Sequence, residues 1–102
     1  MSRRSMVLVN EPLAPDAATA LIKAIIQTGQ VSFSAHATDE IRTDDLTTMD
    51  CVNVLRAGAV TESADLENGT WRYRMHTPRM CVVVAFRSEQ ELRVVTAWRN
   101  RR

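Results

Sequence analysis

A chain of 102 residues, 45% hydrophobic and 25% charged, has the make-up of one soluble globular domain with room for a single core. No apolar run approaches the roughly 18 residues of a membrane helix, and the short stretch 6–9 falls below the roughly 7–15 residues of a secretory core. The expectation is therefore a cytoplasmic protein of one domain over 1–102, with no membrane partner. Its formal charge of +1 conceals a separation by sign. Residues 34–70 hold eight acids against Arg42 and Arg56, a balance of −6, whereas residues 71–102 hold eight Arg against Glu89 and Glu91, a balance of +6.

Residues 1–14 lack periodicity and read as an arm or a short strand. Pro15 and Asp16 open a helix expected over 15–28, with Gly29 after its end. Its apolar stripe runs through Ala17, Ala18, Leu21, Ala24 and Ile25. Residues 31–33 read as a short extended lead-in. Ser34 is an N-cap for a second helix over 35–43, which carries His36, Asp39, Glu40 and Arg42. Thr47 with Asp50 three residues on forms a capping box for a third helix over 48–57, and Gly58 stops it.

After Gly58 the period changes to two. Strands are expected at 59–64, 70–77, 80–87 and 92–99, with a hairpin turn at Glu67-Asn68-Gly69 and another turn at Pro78-Arg79. The expected fold class is α+β, with the helices of the N-terminal half packed on a four-stranded antiparallel sheet. A two-residue turn at Pro78-Arg79 sets His76 opposite Cys81 and Arg74 opposite Val83. A four-residue turn at 88–91 sets Cys81 opposite Trp98, Val83 opposite Thr96 and Ala85 opposite Val94. On this register Trp71, Tyr73, Met75, Val82, Val84, Phe86, Val95 and Ala97 face the helices. Arg72, Arg74, His76, Trp98 and the small residues between them share the other face.

Twelve of the thirteen basic residues are Arg, whose planar fork grips phosphate bidentately and stacks on bases. Arg, His and an aromatic on one open face are the parts needed for metal-independent RNA cleavage. A base takes the 2′-hydroxyl proton, an acid protonates the leaving 5′-oxygen, and Arg stabilises the phosphate between them. His76 is the acid/base candidate because imidazole changes charge near neutral pH. Arg74 and Arg72 are the phosphate clamps, Trp98 a platform for a base, and Arg79 and Arg99 further phosphate contacts. Alternating Arg on a strand is equally the pattern of a solvated, edge-protecting surface. Cys51 and Cys81 are isolated, form no CxxC pair, and read as reduced core residues. Neither a metal nor a cofactor is expected.

The stretch FSAHATDEIRTDDLTTMDCVNVLRAGAV, followed by VVVAF and RVVTAWR, resembles an uncharacterised branch of the RelE/ParE-like toxins, near the MqsR-type toxins. The resemblance covers about residues 31–99 and rests on His36-Ala37, Leu46-Thr47 with Asp50, Gly58, and Val95-Thr96 with Arg99. It implies helices on a small antiparallel sheet, activity as an RNA endonuclease or gyrase poison, and a cognate antitoxin that covers the basic sheet. RNA, free or ribosome-associated, would be the substrate, and His36 joins His76 and Arg74 as a catalytic candidate. Where relatives carry Arg after the His-Ala pair, this chain has Glu40 and Asp44. The alternative is a non-catalytic binding module whose Arg face holds an acidic protein partner or a nucleic acid.

Overall fold

Three local signals set the helices. Pro15, with its fixed φ, begins α1, Pro15–Thr28, which buries Ala18, Ile22 and Ile25 on one stripe. Ser34 caps α2, Ala35–Thr43: its Oγ accepts from the Ala37 amide at 3.0 Å. Thr47 and Asp50 form the reciprocal box that starts α3, Thr48–Ala57, with bonds of 3.1 and 2.8 Å. These bounds match those expected from the sequence. The computed structural model describes residues 8–100, so the first half of the expected arm lies outside the described residues. Residues 8–14 form no helix or strand, and Val9 and Leu13 pack against the core.

The strands are β1, Gln30–Phe33; β2, Ala59–Val60; β3, Asp65–Glu67; β4, Thr70–His76; β5, Met80–Ser88; and β6, Glu91–Arg99. They form a sheet in the order β1-β6-β5-β4-β2, with β3 also paired to β4. The fold is α+β as expected, but the sheet is mixed and six-stranded rather than four-stranded and antiparallel. The extra strand at one edge is β1, which runs parallel to β6 with Val31 opposite Leu92 and Phe33 opposite Val94. Close approach makes this pairing possible. A Cβ at Gly29 would collide with the Gln90 carbonyl, and the next amide, Gln30, donates to that same carbonyl at 2.9 Å.

The strand expected at 59–64 stops after Val60, and a separate strand, β3, forms beyond that span and ends at Glu67, a position expected in the turn. β2 pairs Val60 with Met75, and β3 pairs Asp65 with Arg72, a register offset by two residues along β4. Residues 61–64 leave the edge between β2 and β3; Ala64 packs against the core, and Glu62 reaches His76 of β4. At the other end of the sheet, α2 lies beside the second half of β6. Ser34 Oγ donates to the Val95 carbonyl at 3.0 Å, and Asp44 Oδ2 accepts from the Arg99 amide at 3.1 Å.

The helical residues Ile22, Ile25, Ile41, Val54 and Leu55 share one buried cluster with Tyr73, Met75, Val82, Val84, Leu92 and Val94. All the helices thus serve one sheet face. Among the described residues no helix is long and apolar enough to cross a membrane.

The end of α3 is pressed onto β4. A Cβ at Gly58 would run into the His76 carbonyl oxygen, backbone that cannot swing aside. Gly58→Ala is therefore expected to destabilise the protein by about 1–3 kcal/mol, read as a lower urea midpoint. An unchanged midpoint would show that α3 and β4 can part at no cost.

Candidate nucleic-acid interface

Alternation along β4 buries Tyr73 and Met75 and turns Arg72, Arg74 and His76 to the opposite face. Arg74 lies opposite Val83 and His76 opposite Cys81, as the two-residue turn at Pro78-Arg79 requires. Trp98 lies on the far side of Cys81, so His76, Cys81 and Trp98 form one row across three strands. Cys81, Val83 and Ala85 are buried without belonging to the helix-facing cluster.

The second hairpin departs from expectation in a way that changes the site. Cys81–Trp98, Val82–Ala97 and Val83–Thr96 pair as expected, but Val84 then faces Val94, and Ala85 faces Arg93. Val95 is an extra residue in β6, and Arg87 is an extra residue in β5 that restores the register at Ser88–Glu91. The connecting loop is Glu89-Gln90 rather than four residues. Between the two bulges the faces exchange. Val94 moves into the core and is fully buried with Leu92, Val95 is only partly buried, and Arg93 comes out to the open face. An unbulged ladder would set Arg93 among Val84 and Phe86, where a lone charge is costly. The cue in the sequence is a phase slip in β6, apolar at 92 and 94 and then at 97.

Every basic group of β4 meets a carboxylate from the segment before it. Arg72 pairs with Glu67 at 2.8 Å, Arg74 with Asp65 at 3.1 Å, and His76 Nε2 with Glu62 Oε1 at 2.9 Å. The first two are diagonal contacts of the β3–β4 hairpin, whose Asn68 and Gly69 both adopt positive φ. Both partners of the Arg74 pair are about half exposed, 47% and 51%, so the contact contributes only ~0.2–1 kcal/mol and an incoming anion can replace the carboxylate.

The other candidates lie apart from this row. His36, on the first turn of α2, is two-thirds exposed and reaches Glu40 at 3.7 Å. Arg99 Nη2 donates to the Asp44 carbonyl at 3.1 Å and the Asp45 carbonyl at 3.4 Å, closing the C-terminal end of α2. Asp44 and Glu40 thus serve Arg99 and His36. Arg79 sits in the β4–β5 turn beside Asp50 and Asn53 of α3, off the open face. Arg87 and Arg93 are two open-face cations that the sequence reading passed over. Among the described residues no three His, Cys, Asp or Glu side chains are placed to hold a metal ion.

Burial sets the titration of three neutral core groups, two on the sheet and one on α3. It pushes Cys81 from 9.0 up to about 11, with the Arg74 guanidinium pulling the other way and the Glu62 carboxylate adding to the rise. Cys51 rises likewise to about 11, through burial and then Asp50. Tyr73 rises from 10.0 to about 12, chiefly through burial. Each group holds its proton more tightly folded than unfolded. Its stabilising effect is complete below the unfolded value and is lost as pH rises through the folded one. Urea midpoints should therefore hold steady to about pH 9 and fall progressively between pH 9 and 12. A midpoint flat across that window would contradict the burial of these three groups.

A family model described as a domain of unknown function, DUF4258, matches residues 33–99. Comparison with curated proteins and with solved structures gives no match.

Proposed function

The chain belongs to the DUF4258 family, and for this member we propose a metal-independent RNA endonuclease of toxin type that cleaves by attack of the 2′-hydroxyl and is held in check by a cognate antitoxin. One observation carries the reading. Arg74 and a carboxylate-held His76 stand two residues apart on the sheet face opposite the helix-packed core. Side chains so spaced on a strand lie roughly 7 Å apart, within reach of one phosphodiester. Nε2 is engaged by Glu62, which leaves Nδ1 as the nitrogen that would meet substrate. His76 would take the 2′-hydroxyl proton through Nδ1 as that oxygen attacks phosphorus, and the P–O5′ bond would break with the departing 5′-oxygen taking its proton from solvent water. Arg74 would turn from Asp65 to the non-bridging oxygens, where charge accumulates. Trp98, about one-third exposed across Cys81, offers a surface for a base. The resemblance over residues 31–99 supports the same reading.

A second reading rests on the acidic segment. Glu62, Asp65 and Glu67 already occupy the basic groups of β4, as an acidic partner would if the face only binds. Induced expression in bacteria with mapping of RNA ends separates the two. New RNA ends and slowed growth, both relieved by His76→Ala, support cleavage. Intact RNA with a partner retained on the face supports binding alone. If His36→Ala is the one change that abolishes activity, the chemistry belongs to α2 instead.

A further inference from the structure

We propose that the hollow between Arg72, Arg87 and Arg93 is a binding site for a phosphoryl oxyanion, distinct from the chemistry assigned to His76. The cavity, of about 490 Å³, is walled by these three arginines with Ser34, Thr70 and Val95. The arginines come from three adjacent strands, and Ala85, opposite Arg93, lies low enough between them to leave the space open. Strand spacing separates β4 from β6 by about 10 Å, a span two Arg side chains can close over one tetrahedral anion. The two bulges create the arrangement. One turns Arg93 outward and the other inserts Arg87, and re-aimed side chains beside bulges are a recurrent mark of binding sites.

The hydrogen bonding also points to an acceptor supplied from outside. Arg72 meets Glu67 through Nη1, while its Nε is buried and has no partner among the described residues. An oxyanion in the hollow that drew the Arg72 side chain toward it would give this Nε the acceptor it lacks. Arg93 is exposed and has no carboxylate at ion-pair distance among the described residues, and Arg87 reaches Glu91 only at 3.9 Å. Three cations against Glu67 and Glu91 leave the hollow net positive. Three forks suit an anion with three or four oxygens better than a carboxylate, which one fork saturates. Ser34 adds a wall and no donor, since its hydroxyl proton is committed to the Val95 carbonyl. The oxyanion could belong to an RNA backbone or to a free phosphate ester; the chemistry is shared.

The test is an amide chemical-shift titration of the full chain with inorganic phosphate, then with a nucleoside 5′-monophosphate and a short single-stranded RNA. Saturable shifts centred on residues 72, 85, 87 and 93 are expected. Arg93→Ala should weaken phosphate binding at least tenfold, whereas Arg42→Ala, which removes the same charge from α2, should change it less than twofold. Displacement of phosphate by RNA assigns the anion to the backbone, and displacement by the monophosphate alone assigns it to a small ester. Should Arg93→Ala fail to fold, the wild-type shift map still decides. Absence of saturation, shifts spread over all basic residues, or equal weakening by Arg42→Ala would overturn the proposal. Phosphate binding that persists in a protein unable to cut RNA would overturn the nuclease reading and leave this site standing.

Discussion

Alanine at His76 is expected to lower the rate of RNA cleavage by about 10²–10⁴-fold, the range for loss of a positioned acid or base. The side chain is two-thirds buried, and its ring is held at 2.9 Å by Glu62. It contributes nothing to the helix-facing core, so the variant should fold. Arg74→Ala should cost about 10²–10³-fold, the loss of one donor to the charge that builds on phosphate. The two effects should not multiply when combined, because both act on one phosphodiester. Single-turnover cleavage by purified variants, with circular dichroism to confirm folding, measures this. Full activity in His76→Ala would remove the ring from the chemistry.

The largest effect on stability is expected at Tyr73. Its ring is buried against Phe86, centroids 5.0 Å apart, and its hydroxyl ties the irregular segment 8–14 to the sheet. That hydroxyl donates to Glu11 Oε2 at 2.9 Å and accepts from the Leu13 amide at 3.0 Å. Tyr73→Ala should cost about 3–5 kcal/mol, a large part of the roughly 5–15 kcal/mol that holds a domain of this kind together. Tyr73→Phe keeps the packing but strips the Leu13 amide and Glu11 of their partner, for about 1–3 kcal/mol. Urea unfolding should show both as lowered midpoints at an unchanged slope. If Tyr73→Phe matches the wild type, residues 8–14 are not anchored through this bond.

The helices could be read from the chain because their signals are local. Pro15, Ser34, the Thr47–Asp50 box and Gly58 each act within one turn. The tight turn at Pro78-Arg79 likewise fixed which β4 residues face outward. Non-local features were harder to read. β1 is four residues long and has meaning only beside β6, some sixty positions away, so its pattern alone is that of any extended linker. The bulge at Val95 follows from competition between Arg93 and Val94 for the core, which a register counted from one turn cannot express. The acidic pairing was within reach. A two-residue turn at Asn68-Gly69 sets Glu67 opposite Thr70 and Asp65 opposite Arg72. Counting back from that turn lays the acids over the arginines. What no local count supplies is Glu62 reaching His76, which depends on how residues 61–64 leave the sheet edge.

The chemistry of the RNA ends tests the central claim most directly. Purified protein incubated with RNA in the presence of a chelator should yield a 2′,3′-cyclic phosphate, or its 3′-phosphate hydrolysis product, on one fragment and a 5′-hydroxyl on the other. A 2′-deoxy substitution at the cut site should abolish the cut, since the attacking oxygen is gone. Ends bearing 3′-hydroxyl and 5′-phosphate, or cutting that survives the 2′-deoxy substitution, would contradict 2′-hydroxyl attack on the Arg74–His76 face. RNA that is bound but left intact would contradict cleavage altogether.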